Sequence, residues 1–289
     1  MIGRREDRLL KASTGLEGGI VASGSTCGVV SGGALGLALM QDTMLQERGI
    51  AAEAGVLSLV GEYVRWFEES FGSSFCRERS GVDFYTTMGQ LRYFLPGDRV
   101  ARCFWHIRGA MRHLYDTYQK RNSLTMDVDL RKIQGEPIHC AQAVLRRIRS
   151  RTGIGDPFLE RLSFIFDGGV GLSGGTCGAL AGAVMGINLL LGINIRDTSF
   201  LQAFKSFIVG HINLLLNEPI DEKPDPFSVG KNILERFREE AGSTECRNIT
   251  EKKFFNWTDF QKHISSSDKC ARLIELATTE ASNAIQSLI

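Results

Sequence analysis

The 289-residue chain has almost no net charge: 34 Lys and Arg balance 33 Asp and Glu, leaving a formal +1. Nothing in that balance selects nucleic acid or an acidic membrane as a partner. The basic run Arg146, Arg147, Arg149, Arg151 reads as a solvated helix face. No secretory leader is visible, because the opening MIGRREDRLLK is charged and poor in apolar residues. No Cys-x-x-Cys pair occurs, so zinc-ribbon and ferredoxin signatures are missing. The absence of Cys-x-x-Cys-His excludes covalent c-type haem. Period-2 alternation bounded by turn residues is scarce. No Ser-His-Asp or paired-carboxylate arrangement stands out. Seven cysteines are an odd count without a dense framework. That points to a reducing, cytoplasmic setting in which thiols are ligands or reactive groups.

What the chain has is a motif written twice. Residues 18–39 read GGIVASGSTCGVVSGGALGLAL and residues 168–189 read GGVGLSGGTCGALAGAVMGINL. At an offset of 150, ten of 22 positions are identical without a gap, which implies an internal duplication. The repeat extends further: FEESFGSSFCRE (67–78) matches FREEAGSTECRN (237–248), sharing Phe-x-Glu and Gly-Ser-x-x-Cys-Arg at an offset of 170. A third cysteine follows in each copy, Cys103 and Cys270. Cys140 lies 37 residues before Cys177, and its counterpart in the first copy would fall ahead of Met1. The polar, Pro-rich NEPIDEKPDP (217–226) lengthens the second copy and reads as a surface loop, and a polar segment near 118–136 joins the copies.

Most of the remainder has helical periodicity. Cys270, Leu273, Ile274, Ala277, Ala281, Ala284 and Leu288 form one stripe. Val100, Cys103, Phe104, Ile107, Ala110, Met111 and Leu114 form its counterpart, and both are expected to face a core. The segments 84–94 and 254–260 are aromatic and fit neither period cleanly. The uncharged stretch 168–195 is long enough to span a bilayer, and both copies carry Gly-x-x-x-Gly-x-x-x-Gly. The Gly/Ser-rich, loop-like start of each stretch and the lack of an aromatic belt favour a buried helix over a membrane span.

Within each motif, Thr176 (and Thr26) reads as an N-cap, with the cysteine at the first helical position. A sulfur there faces free backbone N–H groups, which favours thiolate, both the nucleophile and the metal ligand. Gly178, Gly182 and Gly186 follow four apart on one face. Close approach of a neighbouring helix, or of a bulky group such as a cluster, would each offset their cost of about 0.5–1 kcal/mol per glycine. The Gly-rich loop lacks the Lys-Ser/Thr of a phosphate loop. Histidines do not recur: the position matching His106 is Leu273, and His139 and His263 read as exposed or core-edge residues.

Taken together, Cys140-Ala-Gln-Ala-Val, Gly-Gly-Thr-Cys177-Gly-Ala-x-x-Gly182, Gly-Ser-x-x-Cys246-Arg and Cys270 resemble the redox-active protein family named for the pattern C…GCAxxG…C…C. Residues 136–289 match every part; residues 10–120 resemble a divergent member without the leading cysteine. The resemblance implies a small helical protein with an iron–sulfur cluster or similar metal centre, on Cys140, Cys177, Cys246 and Cys270. Gly174, Gly175, Thr176, Gly178 and Gly182 would border the bound group. Cys27, Cys76 and Cys103, with His106 as a fourth ligand, form a weaker candidate set.

The expected architecture is therefore all-α, with two tandem, pseudo-equivalent helical domains (1–120 and 121–289) packed across a pseudo-twofold around Gly-rich central helices. The expected partner is an electron-transfer protein, with no nucleic acid and no membrane, in a monomer with pseudo-dimeric repeats or a homodimer. Two rival readings remain: thiol–disulfide chemistry with Cys177 as a low-pKa attacking thiol, and a non-catalytic scaffold with cysteines as core filler.

Overall fold

A computed structural model describes residues 6–120, 136–216, 219–220 and 223–289. The joining segment 121–135 and four residues of the polar insert lie outside them. The described residues are all-α. The first half runs α1 (Asp7–Ala12), α2 (Gly28–Met40), α3 (Asp42–Arg48), α4 (Ile50–Phe71), α5 (Cys76–Ser80), α6 (Thr87–Phe94) and α7 (Asp98–Lys120). The second runs α8 (Cys140–Thr152), α9 (Pro157–Leu162), α10 (Gly178–Leu191), α11 (Phe200–Asn213), α12 (Pro226–Ala241), α13 (Cys246–Thr250), α14 (Trp257–Ile264) and α15 (Asp268–Gln286). The ambiguous aromatic segments each run from three loop residues into a helix, α6 and α14. No described helix is long and apolar enough to cross a membrane.

The sequence repeat is a repeat of elements: α1 pairs with α9, α2 with α10, α4 with α12, α5 with α13, α6 with α14 and α7 with α15. Among the described residues, α8 has no counterpart in the first half. Local chemistry sets the boundaries. Asp156 and Asp225 cap α9 and α12 by accepting backbone N–H bonds, each with Pro at the first helical position. Gly72 and Gly242 end α4 and α12 in the left-handed conformation, which glycine adopts at no steric cost.

Helix α10 is buried from Gly178 to Leu189, against α8, α15, α12 and α1. Its glycine face is a helix crossing. A Cβ on Gly182 would stand 2.7 Å from the Ala141 carbonyl oxygen, and one on Gly186 would strike Ile148, both on α8. At the matched positions of α2, Gly32 and Gly36, a Cβ would have nothing within 4 Å among the described residues. Of the two offsets weighed from sequence for the glycine stripe, close approach of a helix holds in the second half only.

The halves meet at Thr26 and Thr176. The Thr26 N–H donates to Thr176 Oγ1 (3.1 Å), and the Thr176 N–H donates to Thr26 Oγ1 (2.8 Å). This reciprocal pair marks the pseudo-twofold. The same exchange appears in packing: Val21 fills the space over Gly230, while Gly171 lies against Val60 and Gly61. Arg77 pairs with Glu245 at 2.5 Å, and Arg247, its counterpart, lies 4.3 Å over the ring of Phe75, the counterpart of Glu245. Thr176 is therefore not the N-cap of α10. Cys177 holds that place and the helix starts at Gly178, because the threonine hydroxyl is spent across the axis. Thr176→Val leaves the buried Thr26 N–H without its acceptor and is expected to cost about 1–3 kcal/mol, read by urea unfolding.

The Gly-rich approach is more unusual than a tight turn. Residues 18–22 and 168–172 each have five consecutive positive φ angles, including those of buried Ile20, Val21 and Val170. Left-handed backbone costs a non-glycine residue about 1–2 kcal/mol. Hydrogen bonds such as Val21 N–H to Gly15 O (2.8 Å) and Gly171 N–H to Ile165 O (2.8 Å) hold these left-handed turns closed.

The α7 stripe needs a correction. Ala110 and Leu114 are buried as expected, but Phe104, Ile107 and Met111 are exposed. On α15 the matched face packs against α8, and α7 has no described helix in that place.

Candidate functional site

The four thiols of the second half are delivered by four separate elements. Cys140 is the first residue of α8, Cys177 caps α10, Cys246 opens α13 and Cys270 lies in the first turn of α15. A short antiparallel clip sets two of them side by side: the Cys177 N–H bonds to Thr244 O (2.8 Å) and the Cys246 N–H to Gly175 O (2.7 Å). That clip explains the recurring Gly-Ser-x-x-Cys-Arg. Gly242 ends α12, the Ser243 hydroxyl accepts the Glu245 N–H (3.1 Å), and the cysteine starts the next helix.

Cys140 is placed by Asp167, the residue before the Gly-Gly of the motif. Its carboxylate accepts the Cys140 N–H (3.2 Å) and pairs with His139 Nδ1 (2.7 Å). His139 Nε2 in turn stands 3.2 Å from Glu53 on α4, in the other half. His139 is thus neither exposed nor at the core edge. Burial alone would lower its pKa, but Asp167 and Glu53 outweigh that and raise it to about 10. The Cys270 N–H donates to the hydroxyl of capping Ser267 (3.2 Å), and half-buried His263 lies 3.9 Å from its sulfur.

All four thiols line one small cavity of about 20 Å³. Its other walls include Ile249, Phe260, Leu273 and Ile274, with Gly168 and Gly178 closing the turn side. Gly178 must be glycine here, since a Cβ would lie 2.9 Å from that of Cys140. The other residues expected to border a bound group sit elsewhere: Gly174 against Arg247, Gly175 and Thr176 against Thr26, and Gly182 against Ala141. A larger opening of about 290 Å³ lies between α2, α4 and α7, where Trp66 stacks on His113 at 3.7 Å, and no cysteine lines it.

The thiols ring the cavity; they do not meet at a point. Among the described residues no three Cys, His, Asp or Glu side chains already form a metal-gripping set. All seven cysteines are free thiols. Burial raises the Cys177 thiol to about 11 even though the Ala179 and Leu180 N–H groups favour its thiolate. Burial likewise pushes Cys140 and Cys246 up, with the neighbouring thiols adding to it. The expected low-pKa Cys177 is therefore not found: desolvation outweighs the helix N-terminus. The donor set fits a thiophilic metal, which supplies the positive charge that removes the protons. Four sulfurs surround one apolar, enclosed volume beside backbone N–H donors, with no oxygen ligand among them.

The first half also brings Cys27, Cys76 and Cys103 close to one another, but their surroundings differ. Arg79, Gln90 and His106 stand where Ile249, Phe260 and Leu273 line the second cavity. The Arg79 guanidinium binds His106 Nδ1 and Ser73 O (3.2 Å) and lies 4.7 Å over the Phe67 ring. Burial and Arg79 pull His106 down to about 4. Tyr93 donates its hydroxyl to Cys103 sulfur at 3.3 Å. A fixed cation thus sits among these thiols, and His106 is engaged by it. Sequence reasoning missed Arg79, Asp167 and Glu53. The acidic residue preceding Gly-Gly in both copies, Glu17 and Asp167, was the available signal for one of them.

No curated protein and no solved structure matches the chain. A family profile does, over residues 1–117 and again over 138–283, so that both halves, with all seven cysteines, lie in matched sequence. On that match the chain belongs to the family described as "Putative redox-active protein (C_GCAxxG_C_C)".

Proposed function

We propose that Cys140, Cys177, Cys246 and Cys270 hold an iron–sulfur cluster or a similar thiolate-bound metal centre that passes electrons to a partner protein. The observation that carries this reading is the convergence of four thiols, from four elements, on one enclosed apolar cavity. When bound, such a centre supplies one-electron chemistry at a potential set by burial and hydrogen bonding to sulfur. The chain's own part is positional. Asp167 fixes the first turn of α8 and so the Cys140 side chain. The clip between residues 175–177 and 244–246 fixes Cys177 and Cys246. The N–H groups of Ala179 and Leu180 favour the Cys177 thiolate. Ile249, Phe260 and Leu273 exclude water. Cys270, the most accessible of the four thiols, marks the side from which an electron partner would approach. The working site is in the second half; in the first, the Arg79 guanidinium stands among the thiols.

The test is purification without oxygen, followed by iron and acid-labile sulfide analysis and visible absorption. Iron with matching sulfide is expected, and Cys177→Ala should lose about nine-tenths of both. Cys27→Ala should retain them. Iron without sulfide would mean a single-ion site. Protein without any metal, in which Cys177→Ala changes nothing but stability, would overturn the proposal in favour of core cysteines.

A further inference from the structure

We infer that the groove between α2 and α7 is a docking site for one amphipathic helix of a partner protein, whose face toward the groove is small and apolar and whose edge is acidic. The second half shows what such a groove takes. There α8 lies between α10 and α15, with its Ala141 backbone against Gly182 and its Ile148 side chain against Gly186. It covers Ile274, Thr278, Ser282 and Ile285 of α15, which are 4%, 0%, 3% and 0% exposed. The matched residues of α7 are Ile107, Met111, Tyr115 and Tyr118, and they are 43%, 48%, 46% and 40% exposed. Opposite them Gly32 and Gly36 face open space among the described residues. Two glycines that each cost a helix about 0.5–1 kcal/mol, beside a stripe of four apolar and aromatic side chains across residues 107–118, fit a surface shaped for a helix.

The helix start is also prepared. A Cβ on Gly178 would meet Cys140, the Ala141 nitrogen and Phe166 O; one on Gly28 meets only Leu16 O and Glu17, the places matching Phe166 and Asp167. Asp167 binds the first turn of α8. Its counterpart Glu17 pairs one oxygen with His211 (3.2 Å), and the other, Oε2, is buried without a hydrogen-bond partner. A carboxylate so placed suits the N-terminal N–H groups of an incoming helix.

Charge selects the occupant. On α15 the edge residues Glu275 and Thr279 bind Arg147 and Arg151 of α8. On α7 the same positions are the exposed arginines Arg108 and Arg112. A second copy of α8 would set its arginines against these; an acidic edge would pair with them. The inference concerns docking alone and needs no metal in either half.

The probe is a synthetic peptide of residues 140–152 with Cys140→Ser, Arg147→Glu and Arg151→Glu, added to the full chain and followed by fluorescence anisotropy of a label on the peptide. It is expected to bind about tenfold more tightly than the same peptide with both arginines kept, and less tightly as salt rises. Gly32→Leu, which fills the open face without touching the core, should abolish binding, and Glu17→Gln should weaken it. Absence of saturable binding, equal binding by both peptides, or binding indifferent to Gly32→Leu would overturn the inference. So would a dimer of the protein that Met111→Arg splits, because the groove would then belong to a second copy of the chain.

Discussion

His139→Ala is expected to cost about 3–5 kcal/mol of folding stability, the usual consequence of breaking a buried ion pair from one side. The imidazolium of His139 lies between Asp167, which is fully buried, and Glu53 from the opposite half. Burial raises the Asp167 carboxyl, and His139 is the main influence holding it down. Without the histidine, Asp167 keeps only the Cys140 N–H, and the stack of His139 on Trp257 is lost too. Glu53→Gln removes a partner nearer to solvent and should cost less. Urea unfolding under reducing conditions checks both. A loss below about 1 kcal/mol for His139→Ala would mean that the pair contributes no more than an exposed one.

The second large effect is a contrast between matched glycines. Gly182→Ala is expected to destabilise the protein by about 1–3 kcal/mol through overpacking. The obstructing atom is a backbone carbonyl of α8, so the whole helix must shift and Cys140 must shift with it. Metal retention should therefore fall along with stability. Gly32→Ala, at the same place in the first copy, meets nothing within 4 Å among the described residues. It is expected to stabilise the protein by about 0.5–1 kcal/mol, the ordinary gain of alanine over glycine within a helix. Paired unfolding curves read both signs. Equal effects at the two positions would contradict the asymmetry of the halves.

That asymmetry was partly legible in the sequence. The missing leading cysteine was visible, and among the described residues the covering helix is missing with it. What followed from the loss was not: periodicity placed Ile107 and Met111 on an inward stripe, yet they face outward. A stripe reports that a face is apolar, and burial needs a neighbour to cover it. The thiol chemistry shows the same division. A cysteine at a helix start predicted a stabilised thiolate, and the helix start is there. Desolvation around Cys177 overrides it, and depth of burial is not readable from spacing.

The sequence by itself determined the all-α class, the duplication, and the four cysteines that come to line one cavity. The class, the duplication and Cys177, Cys246 and Cys270 follow from local periodicity and from a register that both copies preserve, while Cys140, without a counterpart in the first copy, came from the family resemblance. Only the tertiary structure decided which half has the apolar cavity. Arg79 and His106 meet beside the first set of thiols from two separate elements, and no window of sequence displays them together. Only the structure assigned Thr26 and Thr176 to the pseudo-twofold instead of to helix caps. A hydroxyl can satisfy either an N–H of its own helix or one from across the molecule, and long-range packing chooses between them.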